Sequence, residues 1–199
     1  WAGRIADALE AQTLDQKLPL NVSLSGQSLY QAAARAVPYT MGASGPLTFT
    51  GFGAADRALV RQTSFTSLLE PTPAYSTVYE RAARLISVRD RLRMQRQVFF
   101  VSTGGFDTHD AQVDDQPGLL GNLSASLGGF HSALRELGVA DRVTTFTHSD
   151  FGRTLTSNGD GTDHAWGGVQ LVMGDAVLGR RFFGQYPTLR IGAQVATDG

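Results

Sequence analysis

Residues 97–110 read QVFFVSTGGFDTHD, an apolar run followed at once by a glycine-containing loop that carries an acid and an imidazole. Residues 142–153, RVTTFTHSDFGR, have the same order of features, with Asp150 and Arg153 after the apolar run. Between these stretches, apolar residues recur at helical spacing over residues 120–137. The order strand, helix, strand predicts a parallel pair of strands joined by a right-handed crossover.

The composition and charge of the chain exclude several kinds of protein and site. The 199 residues include 17 basic and 18 acidic side chains, so a broad basic surface for nucleic acid is not expected. No apolar run is long enough to span a bilayer. The lack of cysteine excludes disulfides and thiolate metal sites. We therefore expect residues 1–199 to form one α/β domain. The start at Trp1, without an initiator Met, fits a processed, truncated or partly observed product.

Periodicity and turn residues predict the remaining elements. Helices are expected within residues 1–17, 54–70, 75–94 and 120–137. Strands are expected at residues 18–25, 47–50, 98–101, 143–147 and 169–173. The strand at 98–101 has the continuous apolar pattern of a strand buried on both faces.

Two loops follow the predicted parallel strands, and we expect them to converge. Parallel strands end at the same edge of a sheet, where ligand sites of open α/β sheets lie. The first loop supplies Asp107 and His109, a carboxylate and an imidazole that suit zinc, manganese or a similar divalent cation. The alternative for this pair is an Asx turn with an exposed histidine.

The second loop supplies Asp150 as a metal ligand or an outer anchor, and Arg153 as a bidentate holder of an anion. The alternative is that Asp150 caps a turn and pairs with Arg153. Residues 159–168, GDGTDHAWGG, add Asp163 and His164 as a third contribution, or else form a flexible turn.

The segments VFFVSTGGFDTHD (98–110), PGLLGNLSASLGGFHSALRELGVADRVTTFTHSDFGRT (117–154) and GTDHAWGGVQLVMGDAVLG (161–179) carry a resemblance to a known family. The chain resembles the bacterial proteins grouped as domain of unknown function family 1501, which are related to the alkaline phosphatase and sulfatase superfamily. The resemblance covers essentially the whole chain. It implies a three-layer α/β sandwich with a mostly parallel central sheet and a metal site at the C-terminal edge of that sheet.

The resemblance also implies metal ligands by position. Asp107 and His109 match the acid and histidine that superfamily phosphatases place in one loop, Asp150 matches the acid of a following Asp-His pair, and His164 matches a later histidine. The first two are two residues apart instead of four, and Phe151 stands where the histidine of the pair belongs. A single-metal site, a remodelled site, or no metal site follows from these departures.

Two functions remain open. The resemblance implies an exported hydrolase, periplasmic or secreted, that uses a divalent metal ion to act on small phosphate or sulfate esters, with Arg153 holding the anion. The resemblance also implies that residues 1–199 are the C-terminal portion of a longer chain, with the nucleophile upstream of Trp1. The rival is a non-catalytic binding or assembly subunit, with a protein partner or the remainder of its own chain bound to the same fold. A second rival is a purely structural fold without a metal, in which the loops that carry Asp and His lie apart.

Overall fold

The computed structural model describes residues 2–10, 12, 16, 18–40 and 76–185 of the chain. The helices in these ranges are α1 (Ala2–Glu10), α2 (Ser76–Ser87) and α3 (Gln112–Glu136), with a short 3₁₀ helix at Leu29–Gln31. The strands are β1 (Asn21–Ser23), β2 (Tyr39–Thr40), β3 (Val98–Phe100), β4 (Thr145–Phe146), β5 (Gly152–Ser157), β6 (Thr162–Ala165) and β7 (Val172–Met173). The expected mixed α/β class is confirmed for this part of the chain.

A small parallel sheet stands at the centre, with strand order β2-β1-β3. In its register Val22 lies between Tyr39 and Phe99. The alternation that predicted β1 buries its apolar residues, and the polar residues between them are buried as well. Asn21 satisfies its amide with Gln31, whose Nε2 donates to Asn21 Oδ1 at 2.6 Å. The sheet therefore has both faces of its central strand covered.

The main hydrophobic core lies where α2 and α3 pack together over this sheet. Tyr79 and Phe130 contact each other with ring centroids 5.5 Å apart, and Leu85 and Leu134 are almost fully buried. Val22 of β1 belongs to the same cluster. Apolar residues at helical spacing, which predicted both helices, therefore form the faces that meet in the core. A smaller cluster joins α1 to the other side of the sheet through Ala6, Leu20 and Ala36.

Helix α3 begins eight residues before the predicted range, and a tertiary contact explains its start. The backbone N–H of Gln112 donates to the carbonyl of Asp160 at 3.0 Å, and the N–H of Ala111 donates to the Asp160 carboxylate at 3.2 Å. Asp160 thus satisfies N–H groups that a helix N-terminus leaves unpaired. Pro117 is the sixth residue of α3, so its missing N–H removes one hydrogen bond from the first part of the helix.

The predicted parallel pairing of residues 98–101 with 143–147 is wrong in the described part of the chain. Strand β3 bonds to β1, whereas β4 pairs antiparallel with β7, with Phe146 opposite Val172. Strand β4 has only two residues, and its backbone hydrogen bonds go to β7. Strand β3 therefore belongs to the parallel sheet, and β4 belongs to a separate two-stranded sheet. The sheet at the centre is parallel, as expected, but the additional sheets are antiparallel.

The second loop, residues 150–167, was expected to be irregular and instead forms a hairpin. Strands β5 and β6 pair antiparallel, with Arg153 opposite His164 and Ser157 opposite Thr162. The predicted helix at 54–70 and strand at 47–50 lie outside the described residues. Among the helices that the structure describes, none combines the length and apolar character that a bilayer crossing requires.

Candidate metal centre

The loop after β3 places two potential metal ligands on its outer side. Asp107 is largely exposed and His109 is half-exposed, whereas Thr108 between them is buried, with 7 % of its surface exposed. This alternation in burial is typical of an extended segment, in which residues two apart lie on the same side. The D-x-H spacing therefore directs the carboxylate and the imidazole to one place.

His164 reaches the same place from β6. Its Nε2 atom lies 2.7 Å from Asp107 Oδ1, and His109 Nε2 lies 3.0 Å from that same oxygen. The two imidazole rings are 4.8 Å apart between centroids. One potential ligand atom from each of Asp107, His109 and His164 falls within 4.8 Å of the other two. We call these three residues the Asp-His-His cluster.

The turn of the β5–β6 hairpin explains why the distant segments meet. Asn158 Nδ2 donates to the carbonyl oxygen of His109 at 3.0 Å. Gly161 packs so closely on the same peptide that an added Cβ would lie 2.0 Å from the His109 oxygen. Thr162 Oγ1 donates to Gln112 Oε1 at 2.8 Å. With the contacts from Asp160 described above, these interactions fix the hairpin turn against residues 109–112.

Phe151 and Arg153 shape the cluster from β5 and its approach. The ring of Phe151 stacks on His164, with centroids 4.3 Å apart and planes 14° apart. The guanidinium of Arg153 lies 4.9 Å from the centre of the Phe151 ring. Arg153 Nη2 donates to the Phe106 carbonyl at 2.7 Å, and Nη1 donates to the Thr162 carbonyl. Arg153 thus ties the loop to the hairpin through backbone oxygens.

The cluster has a distinct electrostatic character. The hydrogen bond with His164 is the main reason that the pKa of the Asp107 carboxyl lies below its ordinary value of 3.8. Desolvation opposes this, and the charges of His164, His109 and Arg153 lower the pKa further. Arg153 Nη2 lies 3.8 Å from Asp107 Oδ1. Asp107 is therefore held in the ionised form, which is the form that binds a metal ion.

The predicted site residues fall into three groups. Asp107, His109 and His164 come together in the cluster. Asp150 is exposed and does not belong to it. Arg153 lies beside the cluster with its side chain 17 % exposed, and its Nη1 and Nη2 atoms each donate to a backbone carbonyl. Arg153 therefore has a structural use, and its grip on an anion stays a prediction.

The donor set of the cluster fits a divalent transition metal. One carboxylate and two imidazoles are ligands that zinc, manganese and iron(II) accept. Three protein ligands leave coordination positions for water or substrate, which is the arrangement of catalytic metal sites. Between 44 % and 61 % of each of the three side chains is exposed, so the cluster is open to solutes.

Sequence reasoning missed the residues that assemble the cluster. Asn158 and Gly161 were not singled out, although the turn sequence NGDG (158–161) between two β-type runs is a hairpin signal. Phe151 was noted only as a departure from the resemblance, and its stacking on His164 has no local signal.

Of three comparisons with known proteins, one gives a match. No curated protein and no solved structure matches the chain. The sequence model of the family described as "Protein of unknown function (DUF1501)" matches residues 19–198, which is most of the chain. The protein therefore belongs to the DUF1501 family.

Proposed function

We propose that the protein is a metal-dependent hydrolase of small phosphate or sulfate esters and that the Asp-His-His cluster holds its metal ion. The observation that carries this proposal is the convergence of Asp107, His109 and His164, which arrive from two segments more than fifty residues apart in sequence. An ionised carboxylate and two exposed imidazoles are a ligand set that metal sites with open positions use.

Each residue has a defined part in this proposal. Asp107 supplies the negative charge, and its lowered pKa keeps that charge down to acidic pH. His109 and His164 each present Nε2 toward Asp107 Oδ1, so both imidazoles direct the same nitrogen to the common centre. A bound divalent ion would polarise an ester oxygen and stabilise charge in the transition state. Phe151 holds the plane of His164 by stacking on it.

The resemblance supports the finer parts of the proposal. We place the chain in an alkaline phosphatase-like, three-layer fold, exported to the periplasm or beyond, with a small anionic ester as substrate. The parallel arrangement of β2, β1 and β3 is compatible with the central sheet of such a fold. Phe151 takes the position of one ligand of a two-metal site, which favours a single metal ion.

Metal content and turnover test the proposal together. In the full-length protein, mass spectrometry is expected to find one divalent metal ion per chain, which Asp107→Asn and His164→Ala each remove. His148→Ala is the matched control, because the His148 ring contacts Tyr30 at 5.1 Å and takes no part in the cluster. Hydrolysis of a panel of phosphate and sulfate esters should stop with chelator and return with metal. Chelator-insensitive turnover, or none across the panel, would contradict the hydrolase.

A specific observation favours a second function, a non-catalytic binding or assembly subunit. Two of the five N–H groups of Arg153, the predicted holder of the anion, donate to the backbone carbonyls of Phe106 and Thr162. A groove of about 370 Å³ opens beside the loop at Gly105, and the described residues that line it include Asp115 but no basic side chain. A groove with a carboxylate in its wall does not favour an anionic ester.

Purification of the full-length protein, followed by an assay of turnover, distinguishes the two functions. The binding subunit should copurify with a protein partner in stoichiometric amount and show no turnover with any metal. A monomer with chelator-sensitive ester hydrolysis would exclude it. The metal analysis alone does not separate them, because a binding subunit with the same cluster can also hold an ion.

A further inference from the structure

Asp163 contacts His109 on the side of the imidazole that faces away from the cluster. His109 Nδ1 lies 3.3 Å from Asp163 Oδ1, whereas His109 Nε2 lies 3.0 Å from Asp107 Oδ1. The two ring nitrogens therefore have separate carboxylate partners. Asp163 does not belong to the group of potential ligands formed by Asp107, His109 and His164.

The protonation of the two imidazole nitrogens determines which of them can bind a metal ion. A neutral imidazole has one N–H, and the nitrogen without it is the one that binds a metal ion. Asp107 at Nε2 and Asp163 at Nδ1 each favour a proton on the nitrogen that they face. An ion bound at Nε2 would take the place of the proton there, and Asp163 would then favour the tautomer with the remaining proton on Nδ1. That tautomer leaves Nε2 free, on the side of Asp107 and His164. Metal-binding histidines commonly donate their second N–H to a carboxylate in this way.

Asp163 is itself held in place by Asn158. Asn158 Nδ2 lies 3.2 Å from Asp163 Oδ1 and also donates to the carbonyl of His109 at 3.0 Å. Asn158 Oδ1 accepts from the N–H of Gly161 at 3.0 Å. One amide side chain thus joins the hairpin turn, the backbone of His109 and the carboxylate at its ring. This fixes Asp163 relative to the imidazole more firmly than its 62 % exposure alone would suggest.

We propose that Asp163 is a positioning residue that orients the His109 ring and fixes its Nδ1–H tautomer, so that Nε2 is presented to the ion. This inference rests on the metal site proposed above. It assigns to Asp163 a role distinct from that of a ligand. Because Asp163 follows the turn and directly precedes His164, the hairpin supplies both one ligand and the group that orients another.

Two measurements on the full-length protein test the role of Asp163. The first is Zn²⁺ affinity by competition with a chromophoric chelator. Asp163→Ala should weaken binding about 10–100-fold, and Asp163→Asn, which keeps an acceptor oxygen, should weaken it less. Asp110→Ala is the matched control, because it removes an exposed carboxylate next to His109 in sequence; its affinity should stay within about twofold of the parent.

The second measurement needs no metal. In the metal-free parent, nuclear Overhauser effects should connect the ring protons of His109 and His164, whose centroids are 4.8 Å apart. Asp163→Ala should weaken or abolish them while Asp110→Ala retains them. If the effects persist unchanged in Asp163→Ala, or if that variant binds Zn²⁺ as tightly as the parent, the positioning role is wrong. If the parent binds no Zn²⁺ but the nuclear Overhauser effects still depend on Asp163, then Asp163 orients His109 as proposed and the proposed metal site is wrong.

Discussion

Gly161→Ala provides a sharp test of how the candidate metal centre is assembled. The added Cβ would lie 2.0 Å from the carbonyl oxygen of His109 and 2.5 Å from its carbonyl carbon. An ordinary contact begins at 3.4 Å, so the turn and the loop must separate by about 1.4 Å. Both atoms belong to the backbone and cannot swing away as the end of a side chain does. We expect the hairpin turn to detach from residues 109–112.

The hydrogen bonds across this contact set the size of the effect. Asn158 Nδ2 to the His109 oxygen is 3.0 Å, Gln112 N to the Asp160 oxygen is 3.0 Å, and Ala111 N to the Asp160 carboxylate is 3.2 Å. A separation of that size takes all three beyond hydrogen-bonding range. At about 0.5–1.5 kcal/mol net for each bond, the free energy of unfolding should fall by about 1.5–4.5 kcal/mol.

Urea unfolding of the parent and Gly161→Ala, with Zn²⁺ affinity measured beside it, checks this expectation. The displaced His109 should lower the affinity at least about tenfold, by analogy with other residues that orient ligands. Gly121→Ala in α3 is the matched control, because apart from its chain neighbours and the nearby helix backbone no atom lies within 4 Å of its added Cβ. Alanine should stabilise the helix there by about 0.5–1 kcal/mol. A Gly161→Ala variant as stable as the parent would refute the docking of the turn on His109.

Two further predictions concern the fold. Leu134→Ala should lower the free energy of unfolding by about 2–5 kcal/mol, because Leu134 lies in the core and is only 1 % exposed. The control Leu120→Ala, at 51 % exposure, should change this free energy by no more than about 0.5 kcal/mol. Equal effects of the two substitutions in urea unfolding would contradict the assignment of Leu134 to the core. Asp7 accepts hydrogen bonds from the backbone N–H groups of Ala36, Ala34 and Arg35, and these lower its pKa below 3.8. The contribution of the Asp7 carboxylate to the free energy of unfolding is therefore complete above pH 3.8 and is lost as the pH falls through the lowered pKa. The difference in the free energy of unfolding between the parent and Asp7→Asn should thus shrink in acid. A difference that does not depend on pH between pH 2 and 6 would contradict this prediction.

Local periodicity predicted those elements whose apolar faces enter the core. The alternation of leucine and valine at residues 18–25 identified β1, and the helical spacing at 75–94 and 120–137 identified α2 and α3. Their ends were less accurate. Helix α3 begins at Gln112 because Asp160, almost fifty residues later, accepts hydrogen bonds from its N-terminal region. No local pattern around residue 112 contains that information.

The sheet topology was predicted less well, because short strands carry little information about their partners. A strand of two residues such as β4 forms too few hydrogen bonds for its apolar pattern to determine its neighbour. The default of a parallel crossover therefore gave the wrong partner for β4. The convergence of the two loops was nevertheless anticipated, and it is achieved by another route, through the docking of the β5–β6 turn on residues 109–112.

For the candidate site, too, one part could be predicted from the sequence and another part could not. Residue type and proximity to strand ends singled out Asp107, His109 and His164 before any geometry was known. The role of Arg153 could not be found in this manner, because its partners are the backbone carbonyls of Phe106 and Thr162, and a carbonyl is present at every position of a sequence. Sequence therefore reveals the side chains that can bind an ion more readily than those that hold them.

The use of Arg153 bears directly on the choice between the two proposed functions. A hydrolase of anionic esters needs positive charge where the substrate binds, and this guanidinium is turned to the protein backbone and to the ring of Phe151. If the proposed hydrolase is right, a metal ion held by Asp107, His109 and His164 would supply the principal attraction for the ester among the described residues. Removal of the metal should consequently abolish substrate binding along with turnover. If a non-hydrolysable ester analogue binds the metal-free protein as tightly as the loaded one, this account of the hydrolase fails.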